Sequence, residues 1–87
     1  TLDYLKRIPA MEIKIDQSFV KGVVDNRSDR VMVQSTIQLA HSLGRRVVAE
    51  GAEVREIVDV LVEMGCDIAQ GYAIGRPMSL EGLTKRI

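Results

Sequence analysis

Met11 to Asp16 alternate apolar and polar residues, the period-2 pattern of a strand. Before it, Leu2, Leu5 and Ile8 stand at helical spacing, so Thr1–Arg7 reads as the tail of a helix stopped by Pro9. After it, Gln17–Arg27 holds Gly22, Asp25 and Asn26 and predicts a long loop with room for one helical turn. Ser28 is the expected N-cap of a helix running to about Leu43, with Asp29 at its positive end. Met32, Thr36, Leu39 and Leu43 fall on one face of that helix, and Val33, Ile37 and Ala40 widen it. Gly44 sits where a helix end favours a left-handed residue. Arg45–Glu50 predicts a second strand. Its unbroken Val47-Val48-Ala49 run suits a strand covered on both faces. Val54, Ile57, Val58 and Leu61 mark a second helix over Glu53–Met64, closed by Gly65. Asp67–Tyr72 predicts a third strand, and Pro77 and Ser79 are expected to start a last helix, Leu80 to Ile87.

Strand, helix, strand, helix, strand, helix implies parallel neighbours joined by right-handed crossovers. The fold class is therefore α/β: about three consecutive βα units with parallel strands. They suit a doubly wound sheet or part of a TIM-like (β/α)8 barrel. A whole barrel takes ~250 residues, so 87 residues amount to about a third of one. The start at Thr1, with no initiator Met and no signal pattern, reads as an excised piece. Such a piece would expose two raw sheet edges, and a homo-oligomer formed through them is expected. Ile13, Ile15, Val48 and Ile68 are expected to line the barrel interior.

Composition removes several functions. Twelve basic against twelve acidic residues leave no basic field for a nucleic-acid polymer, and 3% aromatic content leaves no base-stacking platform. No apolar run approaches the ~18 residues of a membrane span, so no membrane contact is expected from this segment. A single cysteine, Cys66, points to a reducing compartment. Glycines 71 and 75 form neither a dinucleotide fingerprint nor a P-loop.

In parallel α/β folds ligands sit at the C-terminal ends of the strands. Here those ends carry Lys14 and Asp16, then Glu50 followed by Glu53, then Gln70. A lysine, a glutamate and a glutamine on one rim suit anion binding, proton transfer and orientation of a water. Each also has a plain structural reading. Lys14 can snorkel to solvent, Asp16 can cap the following turn, Glu50 can be a solvated loop residue, and Glu53 can answer a helix dipole. His41 reads as a charge partner near a helix C-terminus rather than a metal ligand, and Cys66 as a small core residue.

Four motifs sharpen this picture. Lys14 to Val20 reads Lys-Ile-Asp-Gln-Ser-Phe-Val. Leu39 to Gly44 reads Leu-Ala-His-Ser-Leu-Gly and is followed by Val47 to Glu53, Val-Val-Ala-Glu-Gly-Ala-Glu. Gly65-Cys66-Asp67 precedes Gln70-Gly71-Tyr72, and Gly75-Arg76-Pro77 closes the series. Together they resemble the C-terminal portion of the EAL family, bacterial phosphodiesterases of cyclic di-GMP. Ala52 stands where that family usually has valine.

The resemblance implies that residues 1–87 are the C-terminal third of an EAL domain. The parent would be a bacterial, cytoplasmic signalling enzyme that can be tethered to a membrane sensor. It would bind cyclic di-GMP and hydrolyse it to linear pGpG with two magnesium or manganese ions. Lys14 would be the catalytic lysine, holding the attacking water or a phosphate oxygen. Glu50 would be general base or ligand of the second metal. Glu53 would brace the active-site loop, and Gln70 would hydrogen-bond within the site. The Glu-Ala-Leu motif, the Asn and Glu ligands and the paired aspartates would lie before Thr1, so the chain alone is expected to be inactive and metal-free. Two other readings stand beside this one. One is a degenerate EAL module that binds cyclic di-GMP or a protein partner without turnover. The other is an independent α/β domain that oligomerises.

Overall fold

A computed structural model describes residues 12–71 and 77–81. The elements in chain order are β1 (Ile13–Ile15), α1 (Gln17–Val20), α2 (Arg27–Ser42), β2 (Val47–Glu50), α3 (Arg55–Glu63), β3 (Ile68–Gln70) and β4 (Met78–Ser79). They form one sheet in the order β1-β2-β3-β4. The first three strands are parallel, with Lys14 opposite Val48, Ala49 opposite Ala69, and Glu50 opposite Gln70. The predicted α/β architecture is thus present, a partial fold with α2 and α3 as its two longer helices.

Two expectations at the chain's end need correction or fall outside the described residues. Met78–Ser79 is a short strand, not the start of a helix, and it pairs antiparallel to β3. Pro77 lacks an N–H but precedes the strand, so it removes no ladder bond from β4. The β3 edge is therefore partly covered. The amide of Leu80 also donates to the Asp67 carbonyl at 2.9 Å. The helix expected over residues 1–7, Tyr72, Gly75 and Arg76 of the motifs, and residues 82–87 lie outside the described residues.

The core lies between the sheet and its helices. Val33, Ile37 and Ala40 of α2 and Ile57 and Leu61 of α3 are buried there with Ile15, Val47, Ala49 and Ala69. Two details of this packing differ from expectation. On α2 the Val33–Ile37–Ala40 flank meets the sheet, whereas Met32, Leu39 and Leu43 stay exposed. Small and β-branched side chains let the helix approach the strands closely. The Gln34 flank is turned toward α3, where its side-chain amide donates to the Met64 carbonyl at 3.3 Å. That leaves the longer Met32–Leu39–Leu43 flank pointing away from both.

The second difference concerns the sheet faces. Parallel neighbours in register point to the same side. Ile15, Ala49 and Ala69 pack on the helices, and Ile13 packs against the same cluster. Ile13 and Ile15 therefore face the helices, not the opposite side. Lys14, Val48 and Ile68 alternate with them and occupy the other face. Adjacent Val47 and Val48 had hidden this register, because an unalternating run carries no parity.

Capping is local and specific. Asn26, not Ser28, caps α2, its side-chain oxygen accepting from the Asp29 amide at 3.0 Å. Ser28 lies two residues further on, already inside the first turn. The predicted loop contains α1, capped by Asp16. His41, expected to answer the negative end of its own helix, lies instead against an acid: its Nε2 is 2.7 Å from an Asp67 carboxylate oxygen that also accepts from the Val47 amide at 2.8 Å. This clasp joins the C-terminal end of α2 to the starts of β2 and β3.

Cys66 is buried, and burial pushes its thiol from an ordinary 9.0 up to about 11. The folded thiol thus keeps its proton above the pH at which an unfolded one ionises. Alkylation by iodoacetamide at pH 8 should therefore be slower than in denaturant by on the order of 100-fold. Equal rates would contradict the packing.

Candidate functional site

The sheet face away from the helices ends in a cleft lined by Asp16, Gln17, Glu50, Gly51, Glu53, Gln70 and Gly71. It lies at the C-terminal ends of β1, β2 and β3, as parallel topology requires. Glu50 and Gln70 are level with each other by register. Lys14 shares their face but sits two residues deeper along β1, opposite Val48, and is exposed. The structure thus gathers Glu50, Glu53 and Gln70 at the rim and places Lys14 on the wall below.

Asp16 has a settled role. Its carboxylate accepts from the Ser18 hydroxyl at 2.6 Å and the Ser18 amide at 2.9 Å. These bonds favour the ionised form and hold its carboxyl below the usual range. It is a cap, as one of its two sequence readings held. Glu53 precedes α3, whose own N-cap is Val54. It belongs to the turn between β2 and α3 rather than to the helix.

Glycine makes this turn possible. Gly51 has a φ of 78°, and a Cβ built there would fall 2.5 Å from the Cβ of Gln17. A side chain at 51 would be strained and would also displace α1. Gly71 allows a second close approach: its ideal Cβ would lie 2.5 Å from the Ala52 carbonyl oxygen. Ala52 is buried, and its amide donates to the Gln70 carbonyl at 3.0 Å. The short side chain at 52 therefore sits in a packed joint between the turn and β3. Sequence reading gave Gln17 no part in the site. The signal available was its position directly after the capping Asp16, at the end of β1.

The chemistry of the donor set does not make a metal centre by itself. Among the described residues no group of three or more His, Cys, Asp or Glu is placed to hold an ion. Asp16 gives one carboxylate oxygen to Ser18, and even with Glu50 and Glu53 the cleft offers fewer than the about six oxygen ligands a hard dication asks for.

Comparison with known proteins identifies the pattern. The EAL domain family model matches residues 1–77. The chain is 39% identical over 83 residues to the bifunctional diguanylate cyclase/cyclic di-GMP phosphodiesterase MucR of Pseudomonas aeruginosa, covering 95% of this chain and 12% of that protein. It is 43% identical over 77 residues to the cyclic di-GMP phosphodiesterase PdeB of Shewanella oneidensis, covering 88% of this chain and 9% of that one. Among solved structures, the EAL enzyme Bd1971 in its cAMP- and cyclic-di-GMP-bound form aligns with a TM-score of 0.73 at 37% identity. That alignment covers 97% of this chain and 22% of the other. The sheet and helices described above are thus part of a TIM-barrel-like fold, and this chain belongs to the EAL domain family.

Proposed function

We propose that the protein carrying this chain hydrolyses cyclic di-GMP to linear pGpG, and that residues 1–87 supply the C-terminal third of its catalytic barrel. The observation that carries this reading is the placement of Lys14, Glu50 and Gln70 on one face of three adjacent parallel strands. Relatives named as cyclic di-GMP phosphodiesterases support the substrate. The bare Met32–Leu39–Leu43 flank of α2 supports the barrel, because a ring of helices would cover it with the helix of the preceding unit.

In this reading a water oxygen attacks phosphorus, one P–O ester bond breaks, and the departing sugar oxygen takes up a proton from solvent and leaves as a hydroxyl. Glu50 takes the proton of the attacking water. The ammonium of Lys14 holds that water or a phosphate oxygen and offsets the negative charge that grows in the transition state. Gln70 hydrogen-bonds beside Glu50, and Glu53 braces the turn that carries it. Magnesium or manganese dependence belongs to the same proposal. In its alternative role, as ligand of the second metal in place of general base, Glu50 would be the one ligand contributed by these residues. The protein would work in the bacterial cytoplasm.

Chromatographic analysis of cyclic di-GMP incubated with the protein and magnesium tests the reading. Conversion to the linear dinucleotide, abolished by EDTA, is expected. Binding without conversion would favour a degenerate module that senses the dinucleotide.

The isolated 87-residue chain is expected to lack turnover and to self-associate. At β1 the sheet ends, among the described residues, in an unpaired strand, and such edges recruit partners. Light scattering should give masses above the 9.7 kDa monomer as concentration rises. A monomer at every concentration would contradict this.

A further inference from the structure

We propose that Gly71 is a positioning residue for Glu50, an inference that rests on the phosphodiester hydrolysis reading above. Gly71 directly follows β3, and its backbone lies outside the left-handed region that Gly44, Gly51 and Gly65 occupy. Its φ therefore does not call for glycine; the space around it does. An ideal Cβ at 71 would fall 2.5 Å from the carbonyl oxygen of Ala52, 2.8 Å from its carbonyl carbon and 3.0 Å from its amide nitrogen. All three are backbone atoms, so no side-chain rotation makes room.

The atoms in contact belong to the turn that follows Glu50. Ala52 also donates its amide to the Gln70 carbonyl at 3.0 Å. The end of β3 thus holds this turn through the Gln70 carbonyl and limits its approach through the bare Cα of Gly71. The Ala52 side chain is fully buried, and Gly51 abuts Gln17 of α1, so two further contacts fix the turn. Glu50 stands two residues before Ala52, at the end of β2 and level with Gln70.

A methyl group at 71 drives these two backbones apart. Ordinary contact begins at 3.4 Å, so the turn has to retreat by about 1 Å, a shift that costs on the order of 10²-fold when it falls on a catalytic group. The Ala52–Gln70 bond lengthens, and the Glu50 carboxylate moves relative to Lys14 and Gln70. A general base works only within hydrogen-bond reach of its water. Lys14 stays in place on β1, so affinity for the dinucleotide is largely kept while turnover falls.

The test measures cyclic di-GMP hydrolysis by the protein carrying this chain, as wild type, Gly71→Ala, Glu50→Gln and the double variant. Gly65→Ala is the control: it strains a φ of 83° with nothing within 4 Å, at the opposite end of β3. Gly71→Ala should lower kcat by about 10- to 100-fold with KM within about threefold. In the Glu50→Gln background the same change should cost less than about threefold, because Gly71 acts through Glu50. Gly65→Ala should lower Tm and leave kcat unchanged. Unchanged kcat in Gly71→Ala would overturn the proposal. So would equal losses in both backgrounds, which would make the joint merely structural. Should Gly71→Ala not fold, Ala52→Gly loosens the same turn without a clash. It should lower kcat by about threefold or more in wild type and not in Glu50→Gln, and unchanged kcat there overturns the proposal as well. A wild type that does not convert cyclic di-GMP overturns the underlying functional reading, and that result is seen without any variant.

Discussion

Lys14→Ala in the protein carrying this chain is expected to lower kcat for cyclic di-GMP by ~100-fold or more, with KM near the wild-type value. The strand leaves Lys14 little choice of direction. Ile13 and Ile15 on either side pack toward the helices, so Lys14 must project from the opposite face, level with Val48. It is exposed, so truncation opens no cavity and Tm should hold. A charge that acts on developing negative charge lowers kcat when removed. A charge that only binds the ground-state phosphate raises KM. Steady-state kinetics separate the two, and a raised KM with intact kcat would demote Lys14 to phosphate binding.

Glu50→Gln should cost still more, on the order of 10²- to 10⁴-fold in kcat, as expected on losing a general base. The substitution keeps shape and hydrogen-bonding length but removes the proton acceptor. Glu50 is half-buried at the end of β2, level with Gln70 and next to the obligatory Gly51 turn, so its position should survive the change. Retained affinity for cyclic di-GMP with lost turnover is the expected pair of results, read by calorimetry and single-turnover assay. Near-normal turnover would move the base elsewhere.

The residues of the site were legible because strand ends announce themselves. Glu50 and Gln70 each close a short apolar run, and parallel topology brings such ends together, whereas Lys14 lies mid-strand between Ile13 and Ile15 and shares the face of Glu50 and Gln70 by parity. The α2 core face was only half legible. Two apolar flanks lie side by side on that helix, and sequence alone does not say which meets the sheet. Packing selects Val33, Ile37 and Ala40, leaving Met32, Leu39 and Leu43 exposed. Sheet parity was lost for a similar reason, since both Val47 and Val48 are apolar and both are buried. Asn26 replaced Ser28 as cap because several residues of that loop can cap, and helix phase decides among them. Gln17 stayed hidden because its placement depends on a backbone approach between α1 and Gly51, residues far apart in sequence.

The most direct test of the shared face is a crystal structure of the protein carrying this chain with cyclic di-GMP bound. The account predicts the dinucleotide across the C-terminal ends of β1, β2 and β3, with the Lys14 ammonium within about 3 Å of a phosphate oxygen or its attacking water. Glu50 and Gln70 should border the same phosphate. A dinucleotide seated elsewhere, with Lys14 pointing into bulk solvent, would contradict it.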